Sequence, residues 1–429
     1  MNRIYIETYG CTANQSDGEI MKGLLNRSGF QIVNNEDLAD IFIINTCSVK
    51  QTTENKIRSR IKELKRKFEE QKIIVSGCMP ESEYDIIRDL LPNSSFVSTH
   101  HVKDIPKAVK KVIQGKNVEY IGKTDVIKLQ CPKIRDNRWT SKVQISRGCI
   151  NRCSFCNTKV AKGDLFSYPK EKIIEEVKKS IENGCKEIQI TSQDTGCYGF
   201  DRDSNLVELL KRLVNLPGKF KTRIGMLNPH NLLVKNFLDD LIEVYRDEKI
   251  YKFLHIPVQS GSNKILDRMK RNHTVEDFLK VLEKFSDGVD DLNLWTDFIV
   301  GFPGETEEDF HKSMELLEKI RPDHVNISRF TPRPDTEAKE MNQIDSEIKK
   351  ERSRKMSKLV RNITAEKNKL WDEKKSEVFV NKKVGRNKYK GRNESYKPVI
   401  LNSNEDLRGK FVQVKLRLEG NILLSNVTD

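Results

Sequence analysis

The sequence predicts an α/β chain in three parts: an N-terminal doubly wound α/β domain, a central partial (β/α)6 barrel, and a small all-β barrel at the C-terminus. Three observations predict it. Apolar runs of four to seven residues alternate with longer amphipathic stretches, the pattern of βα units around a parallel sheet. The second group of units counts six strands with regular crossovers. Beyond Lys375 that alternation gives way to short strands separated by Gly and Asn turns.

In residues 1–125, RIYIETYG, DIFIINT and KIIVSG read as buried strands, with helical periodicity at about 17–27, 53–70 and 81–90. Residues 126–140, polar and containing Pro132, read as a linker. In 141–345, strands are predicted at about 142–146, 187–192, 222–227, 253–258, 294–301 and 324–330. Helical stretches near 170–183, 204–214, 231–247, 274–286 and 306–319 separate them. Such a barrel carries its chemistry at the C-terminal ends of its strands. Residues 346–375 read as a charged helical connector, and 376–429 as the all-β module, built on SEVFV, YKPVIL and GKFVQVKLRL.

At 429 residues the chain has room for about three domains at roughly 150 residues each. Against 63 acidic residues stand 77 basic ones, a net +14, which favours a polyanionic partner, nucleic acid first among them. Residues 345–429 hold 22 basic and 12 acidic residues, so +10 of that excess lies in the last fifth. No apolar run approaches the ~18 residues of a membrane span, and MNRIYIETYG lacks the apolar stretch of a signal peptide. A cytoplasmic protein without membrane contact is expected. In that reducing compartment the nine cysteines, at 11, 47, 78, 131, 149, 153, 156, 185 and 197, are not expected to form disulfides. Their confinement to the first half of the chain argues for metal or redox chemistry.

Cys149-Ile-Asn-Arg-Cys153-Ser-Phe-Cys156 follows a predicted strand and Ser146-Arg147-Gly148. Three close thiolates on a loop can hold three irons of a 4Fe–4S cubane and leave the fourth open to a substrate or cofactor. A structural zinc site would need a fourth ligand, and no Cys or His lies nearby in sequence. Cys11, Cys47 and Cys78 each sit just past a predicted strand of the first domain. Parallel strands bring their C-terminal ends to one edge, so these three thiols can converge on a second cluster although 36 and 31 residues separate them. Cys185 reads as helix-end packing, Cys131 as a linker thiol and Cys197 as a loop residue near the site. The His100-His101 pair reads as a solvated loop. Barrel strand ends supply Gln193-Asp194, Arg223, Gln259-Ser260-Gly261-Ser262, Thr296-Asp297 and the turn Gly301–Thr306, polar groups suited to a cofactor's ammonium, carboxylate and ribose. In the tail, Lys382, Lys383, Arg386, Lys388, Lys390 and Arg392 cluster with Tyr389 and Tyr396, and cations for backbone phosphates beside exposed aromatics fit looped or single-stranded RNA.

Taken in this order, the three parts resemble the methylthiotransferases, a branch of the radical S-adenosylmethionine (SAM) enzymes. Cys149, Cys153 and Cys156 match the radical SAM triplet, with Phe155 at its aromatic position. Cys11 in YGCTANQSD, Cys47 in INTCSV and Cys78 in SGCMPE match the ligands of an auxiliary cluster, and TDFIVGFPGET at 296–306 is a hallmark of the group. The tail resembles a TRAM domain, and YGCTANQSDGE with that tail is most similar to the archaeal and eukaryotic type. That type adds a methylthio group to threonylcarbamoyladenosine beside the tRNA anticodon. Two departures are Cys197, where a non-thiol is expected, and Asp335 in PRPDT, where relatives often carry Gly.

The resemblance implies two 4Fe–4S clusters, and SAM as both radical source and methyl donor. On that resemblance Cys149, Cys153 and Cys156 would hold the cluster that binds SAM and supplies radical chemistry, which an unactivated ring C–H needs because general acid–base catalysis, worth ~10²–10⁴-fold, is too weak for it. The auxiliary cluster holds the sulfur. Gln193, Asp194, Arg223 and Gln259 are the candidate SAM contacts, and the basic tail grips the anticodon arm. An electron donor and a sulfur source are required partners. Two other readings are a methylthiotransferase acting on another tRNA adenosine derivative or a ribosomal protein side chain, and a non-catalytic iron–sulfur RNA-binding protein.

Overall fold

A computed structural model describes residues 2–234 and 237–427. In the first domain six parallel strands form one sheet, in the order Gln31–Ile32, Arg3–Thr8, Ile41–Thr46, Ile73–Gly77, Ser95–Ser98, Glu119–Tyr120. Strand Ile41–Thr46 shows how the sequence produces this. It is buried along its whole length, and successive side chains leave on opposite faces. Ile41 and Ile43 join Ile4, Ile6, Ile74 and Val97 under helices Thr12–Arg27 and Ile105–Ile113. Phe42 and Ile44 join Ile73, Val75 and Phe96 under helix Gln51–Lys67. The sheet is therefore covered on both faces, as expected. Strands Gln31–Ile32, Ser95–Ser98 and Glu119–Tyr120 are too short to leave a readable period.

Six parallel strands in chain order make the barrel. Thr140–Gln144, Glu187–Thr191 and Lys221–Arg223 pair in one sheet, and Phe253–His255, Asn293–Val300 and His324–Arg329 in another. A bridge between Thr222 and Ile250, and the Leu227 amide donating to the His255 carbonyl at 2.9 Å, join the two. Among the described residues nothing pairs the first strand with the last, so the barrel is open on one side. The third and fourth strands are shorter than predicted, because Gly225 and Pro257 interrupt their ladders.

The N-terminal domain fills that open side. On one rim, Ser16 Oγ donates to the Lys142 carbonyl at 3.1 Å, Lys142 pairs with Glu19 at 2.5 Å, and Gln144 Nε2 reaches Asp17 Oδ1 at 2.8 Å. On the other, a buried pair joins Arg333 to Glu54, and Lys50 Nζ lies 3.4 Å from Asn326 Oδ1. Residues 126–139 are irregular but packed against both domains, with Lys128 and Leu129 buried.

Helix Ser346–Lys369 runs back along the barrel, where Arg352 pairs with Glu305 at 2.7 Å and Met356 and Val360 join the barrel core. The C-terminal strands Lys375–Lys383, Lys388–Arg392, Pro398–Asn402, Phe411–Lys415, Arg417–Glu419 and Ile422–Asn426 form one sheet around their own core. This module seals the barrel's bottom. Lys252 N donates to Glu394 O at 2.9 Å, Asn293 Nδ2 to Ser395 O at 2.6 Å, and Lys397 pairs with Asp323 at 2.8 Å. All three barrel partners lie at strand N-terminal ends. Among the described residues no helix is long and apolar enough to cross a membrane.

Candidate active site

Strands Arg3–Thr8, Ile41–Thr46 and Ile73–Gly77 are neighbours, and the winding direction reverses between the first two, a topological switch point. Cys11, Cys47 and Cys78 follow these three strands at that edge. Bare backbone lets the loops meet: a side chain at Gly10 (φ +96°) would strike the Cβ and Sγ of Cys47, and one at Gly77 (φ +94°) would strike the Thr46 carbonyl. Cys11 is exposed, Cys47 and Cys78 buried. Burial, with the adjoining Cys78 and Cys11, pushes the Cys47 thiol up to about 12, and burial raises Cys78 also. Thiols this reluctant to ionise alone become ligands when a metal supplies the opposing charge.

The second triad lies on the loop from strand Ser146–Arg147 to helix Asn157–Lys162, with Cys156 as the helix's N-cap. Gln193 Oε1 accepts from the Gly148 amide at 2.7 Å and fixes the start of the loop. Asp194, fully buried, accepts from Gly196 N at 2.9 Å, Asn228 N at 3.2 Å, Asn231 Nδ2 at 2.6 Å and Asn151 Nδ2 at 3.3 Å. Asn151 also points its backbone and side-chain N–H groups at Cys149 Sγ, at 3.4 and 3.5 Å, and Arg271 Nη1 lies 3.4 Å from Cys153 Sγ. Contact with the Cys197 thiol holds Cys149 below the usual thiol range, whereas burial beside Cys153 pushes Cys156 up to about 12.

The two loops touch: Asn157, next to Cys156, donates through Nδ2 to the carbonyl of Ser48, next to Cys47, at 3.5 Å. Among the described residues the only three ligating atoms within 4.8 Å of one another belong to Cys149, Asp194 and Cys197. Neither triad is drawn that tightly, so neither is shaped for one small ion, while three thiolates at wider spacing suit the corners of a cubane. Cys197 stands behind Cys149 and does not complete the ring, since Cys153 and Cys156 are outside that group.

Below the triads the barrel interior is polar. Register places Gln189 beside Arg223, then His255, Trp295 and His324 in one rank, and Asp297 beside Asn326 in the next. All seven are half-buried. Asp297 Oδ1 meets His255 Nε2 at 3.0 Å and accepts from Asn326 Nδ2 at 2.7 Å. Despite burial, these two partners hold the Asp297 carboxyl below its ordinary range. Arg223 donates through Nη2 to Thr12 Oγ1 at 3.0 Å, its Nε has no partner, and it forms no ion pair among the described residues. The floor is aromatic: Tyr396 packs on Tyr251 and Phe253 with ring centroids 4.9 and 5.0 Å apart, its hydroxyl accepting from Gln189 Nε2 at 3.2 Å.

The structure brings Gln193 and Asp194 under the second triad. It sets Phe155 edge-on to Phe302 at 6.2 Å, and holds Gln259 in a left-handed conformation (φ +81°) at the mouth. Several expectations are corrected. Ser260 and Ser262 do not face the mouth; they turn toward Ser313 and Asp309 of helix Glu307–Ile320. In the turn Gly301–Thr306, Thr306 caps that helix and Glu305 binds the Gly301 amide and Arg352. His100 is buried, its Nε2 3.0 Å from the Ala161 carbonyl, because the N-terminal domain docks there. Tyr389 and Tyr396 are buried in packing and offer no stacking platform. Arg392 stacks on Tyr396 at 4.5 Å and faces Glu187 of the barrel, and Lys390 is half-buried; Lys382, Lys383, Arg386 and Lys388 are exposed. Sequence reasoning named Arg223 and Asp297 but missed Asn151, Arg271, Lys162 and the interior residues Gln189, His255, Trp295, His324 and Asn326. Inward alternation along Asn293–Val300 was the only available signal.

A SAM-type barrel carrying a cysteine triad at its mouth, joined to a second cysteine-bearing α/β domain, defines the class. Residues 143–317 match the Radical SAM superfamily and residues 3–98 the uncharacterized protein family UPF0004. The probable threonylcarbamoyladenosine tRNA methylthiotransferase of Pyrococcus abyssi is 44% identical, over 97% of each chain. The threonylcarbamoyladenosine tRNA methylthiotransferase of Homo sapiens is 34% identical, over 98% of this chain and 73% of the human one. Among solved structures, the radical SAM methyltransferase TsrM of Kitasatospora setae shares the fold with a TM-score of 0.58 at 12% identity, covering 79% of this chain and 74% of that one. The chain belongs to the threonylcarbamoyladenosine tRNA methylthiotransferase family of radical SAM enzymes.

Proposed function

We propose that the protein adds a methylthio group to the adenine of threonylcarbamoyladenosine beside the anticodon of tRNA, in the cytoplasm. The observation that carries this reading is the contact between the loops that carry two cysteine triads, from two domains, above one polar barrel interior. Cys149, Cys153 and Cys156 would hold one 4Fe–4S cluster and Cys11, Cys47 and Cys78 the other. When bound, the first supplies the electron that cleaves SAM and the second carries the sulfur to be inserted.

The chain's own residues do the rest. Gln193, Asp194 and Asn151 orient the loop of the first triad, and Phe155 and Gln259 flank the place where SAM would lie. Arg223 offers an unpaired cation, and both SAM and the threonyl group carry a carboxylate to meet it. The N-terminal domain closes the barrel's side and keeps water from the radical step. Lys382, Lys383, Arg386 and Lys388 grip phosphates and fix the register of the anticodon arm, while the target base is splayed out to reach the interior. An external electron donor and a sulfur source complete the reaction.

The test is incubation of the reconstituted protein with SAM, a reductant and sulfide, with three substrates in parallel. These are tRNA carrying threonylcarbamoyladenosine, unmodified tRNA and ribosomal protein. Nucleoside and peptide mass spectrometry should find the methylthio increment in the first alone; its appearance only in the unmodified tRNA or the protein would replace this substrate.

A further inference from the structure

Three charges are shut away from water where helix Thr12–Arg27 meets helix Asn157–Lys162. The side chains of Asp17, Lys128 and Lys162 are 1%, 3% and 3% exposed. Lys128 Nζ touches both Asp17 oxygens at 2.8 Å, Gln144 Nε2 adds a donor at 2.8 Å and Thr99 Oγ1 another at 3.0 Å. That carboxylate is already neutralised. Lys162 stands farther off, its Nζ 3.7 Å from Asp17 Oδ2, and bonds to Thr99 Oγ1. Two cations against one carboxylate leave a surplus of one positive charge. An uncompensated buried ion costs several kcal/mol, so it must face an anion.

The groups around Lys162 narrow the choice. Lys128 and Arg147 are cations, and Arg147 is taken by Asp125 at 2.5 Å. His100 and Tyr168 are buried and neutral. What remains are Cys78 and Cys11: Lys162 bonds to Thr99, whose amide donates at 2.8 Å to the carbonyl of Gly77, next to Cys78, and Cys11 caps the helix that carries Asp17; both thiols act electrostatically on Lys162. We propose that Lys162 is the counter-ion of the cluster held by Cys11, Cys47 and Cys78, a positioning residue that sets the reduction potential of that centre. The proposal rests on reading the N-terminal triad as a cluster site. A buried cation beside a cluster favours the more negative, reduced state and raises the midpoint. Lys162 also lies on the helix that begins at Cys156, so the two cluster sites share one structural element.

The test uses the full chain, reconstituted anaerobically with iron and sulfide and titrated by EPR, with Cys47→Ala assigning the signals. Roughly four irons in the parent, where eight are expected, would refute the cluster reading itself before any variant is compared. With both clusters present, Lys162→Met should lower the midpoint of the N-terminal centre alone, and Lys162→Arg should restore it. Asp17→Asn should raise it, an opposite shift that a purely structural role would not produce. Full iron content with an unmoved midpoint in Lys162→Met, or shifts of the same sign in Lys162→Met and Asp17→Asn, would overturn the proposal. If Lys162→Met instead fails to take up the N-terminal iron, recovery in Lys162→Arg supports the counter-ion and continued loss refutes it.

Discussion

At Cys153 the thiol lies 3.4 Å from the Arg271 guanidinium, and at Cys47 it is pressed against Gly10; under the proposed function the two sulfurs would ligate different clusters. Replacing Cys153 by Ala should reduce 5′-deoxyadenosine formation from SAM to background, measured by chromatography. Replacing Cys47 by Ala should keep that cleavage, halve the bound iron and abolish methylthio transfer; retained product would contradict its assignment. Asp335 stands at φ +55°, a left-handed conformation that Gly adopts without strain. Asp335→Gly should raise stability by about 0.5–1 kcal/mol in chemical denaturation, because it relieves backbone strain in an otherwise ordinary turn.

Among the elements, the tail seals the barrel and, under the proposed function, also binds RNA, two roles that sequence runs together. Its basic hairpin is exposed, whereas Tyr396, Arg392 and Lys397 are used up in sealing the barrel. Deleting 376–429 would therefore uncover the barrel floor as well as weaken RNA binding. Reversing Lys382, Lys383, Arg386 and Lys388 to Glu separates the two. It should leave the thermal midpoint nearly unchanged and reduce the slope of log K against log salt by about 1 per lost phosphate contact. An unchanged slope would place the RNA elsewhere. At the domain junction, Arg333→Met strands the buried Glu54 carboxylate, and should cost about 3–5 kcal/mol in urea unfolding.

Two buried histidines should each cost the molecule stability on mild acidification. Burial first, then Arg147 beside His100 and Arg271 beside His273, holds both imidazoles down to about 4 in the folded chain, against about 6.5 when unfolded. The unfolded state therefore takes up protons first as pH falls, and stability declines from about pH 6.5 toward 4, by on the order of 1–2 kcal/mol per histidine at pH 5. Thermal unfolding between pH 7 and 5 should show this, and the double variant His100→Gln, His273→Gln should flatten it. His100 sits where the N-terminal domain docks on helix Asn157–Lys162, so the junction should loosen first.

The thiol spacing at 149–156, the strand-then-Cys placement at 11, 47 and 78, and the alternating βα pattern were legible along the chain because each depends on neighbours in sequence. So was the basic cluster at 382–392, though not the hairpin that carries it. Lys162 beside Asp17, Arg223 beside Thr12, and Asn157 beside Ser48 were not, since each pair is brought together only when one domain closes the open side of another's barrel. Tyr396 misled for the same reason: an aromatic in a basic stretch carries no local sign of which surface will bury it. Local spacing marked the candidate ligands; packing between domains decided what surrounds them, because charge, burial and exposure belong to contacts that the linear order does not contain.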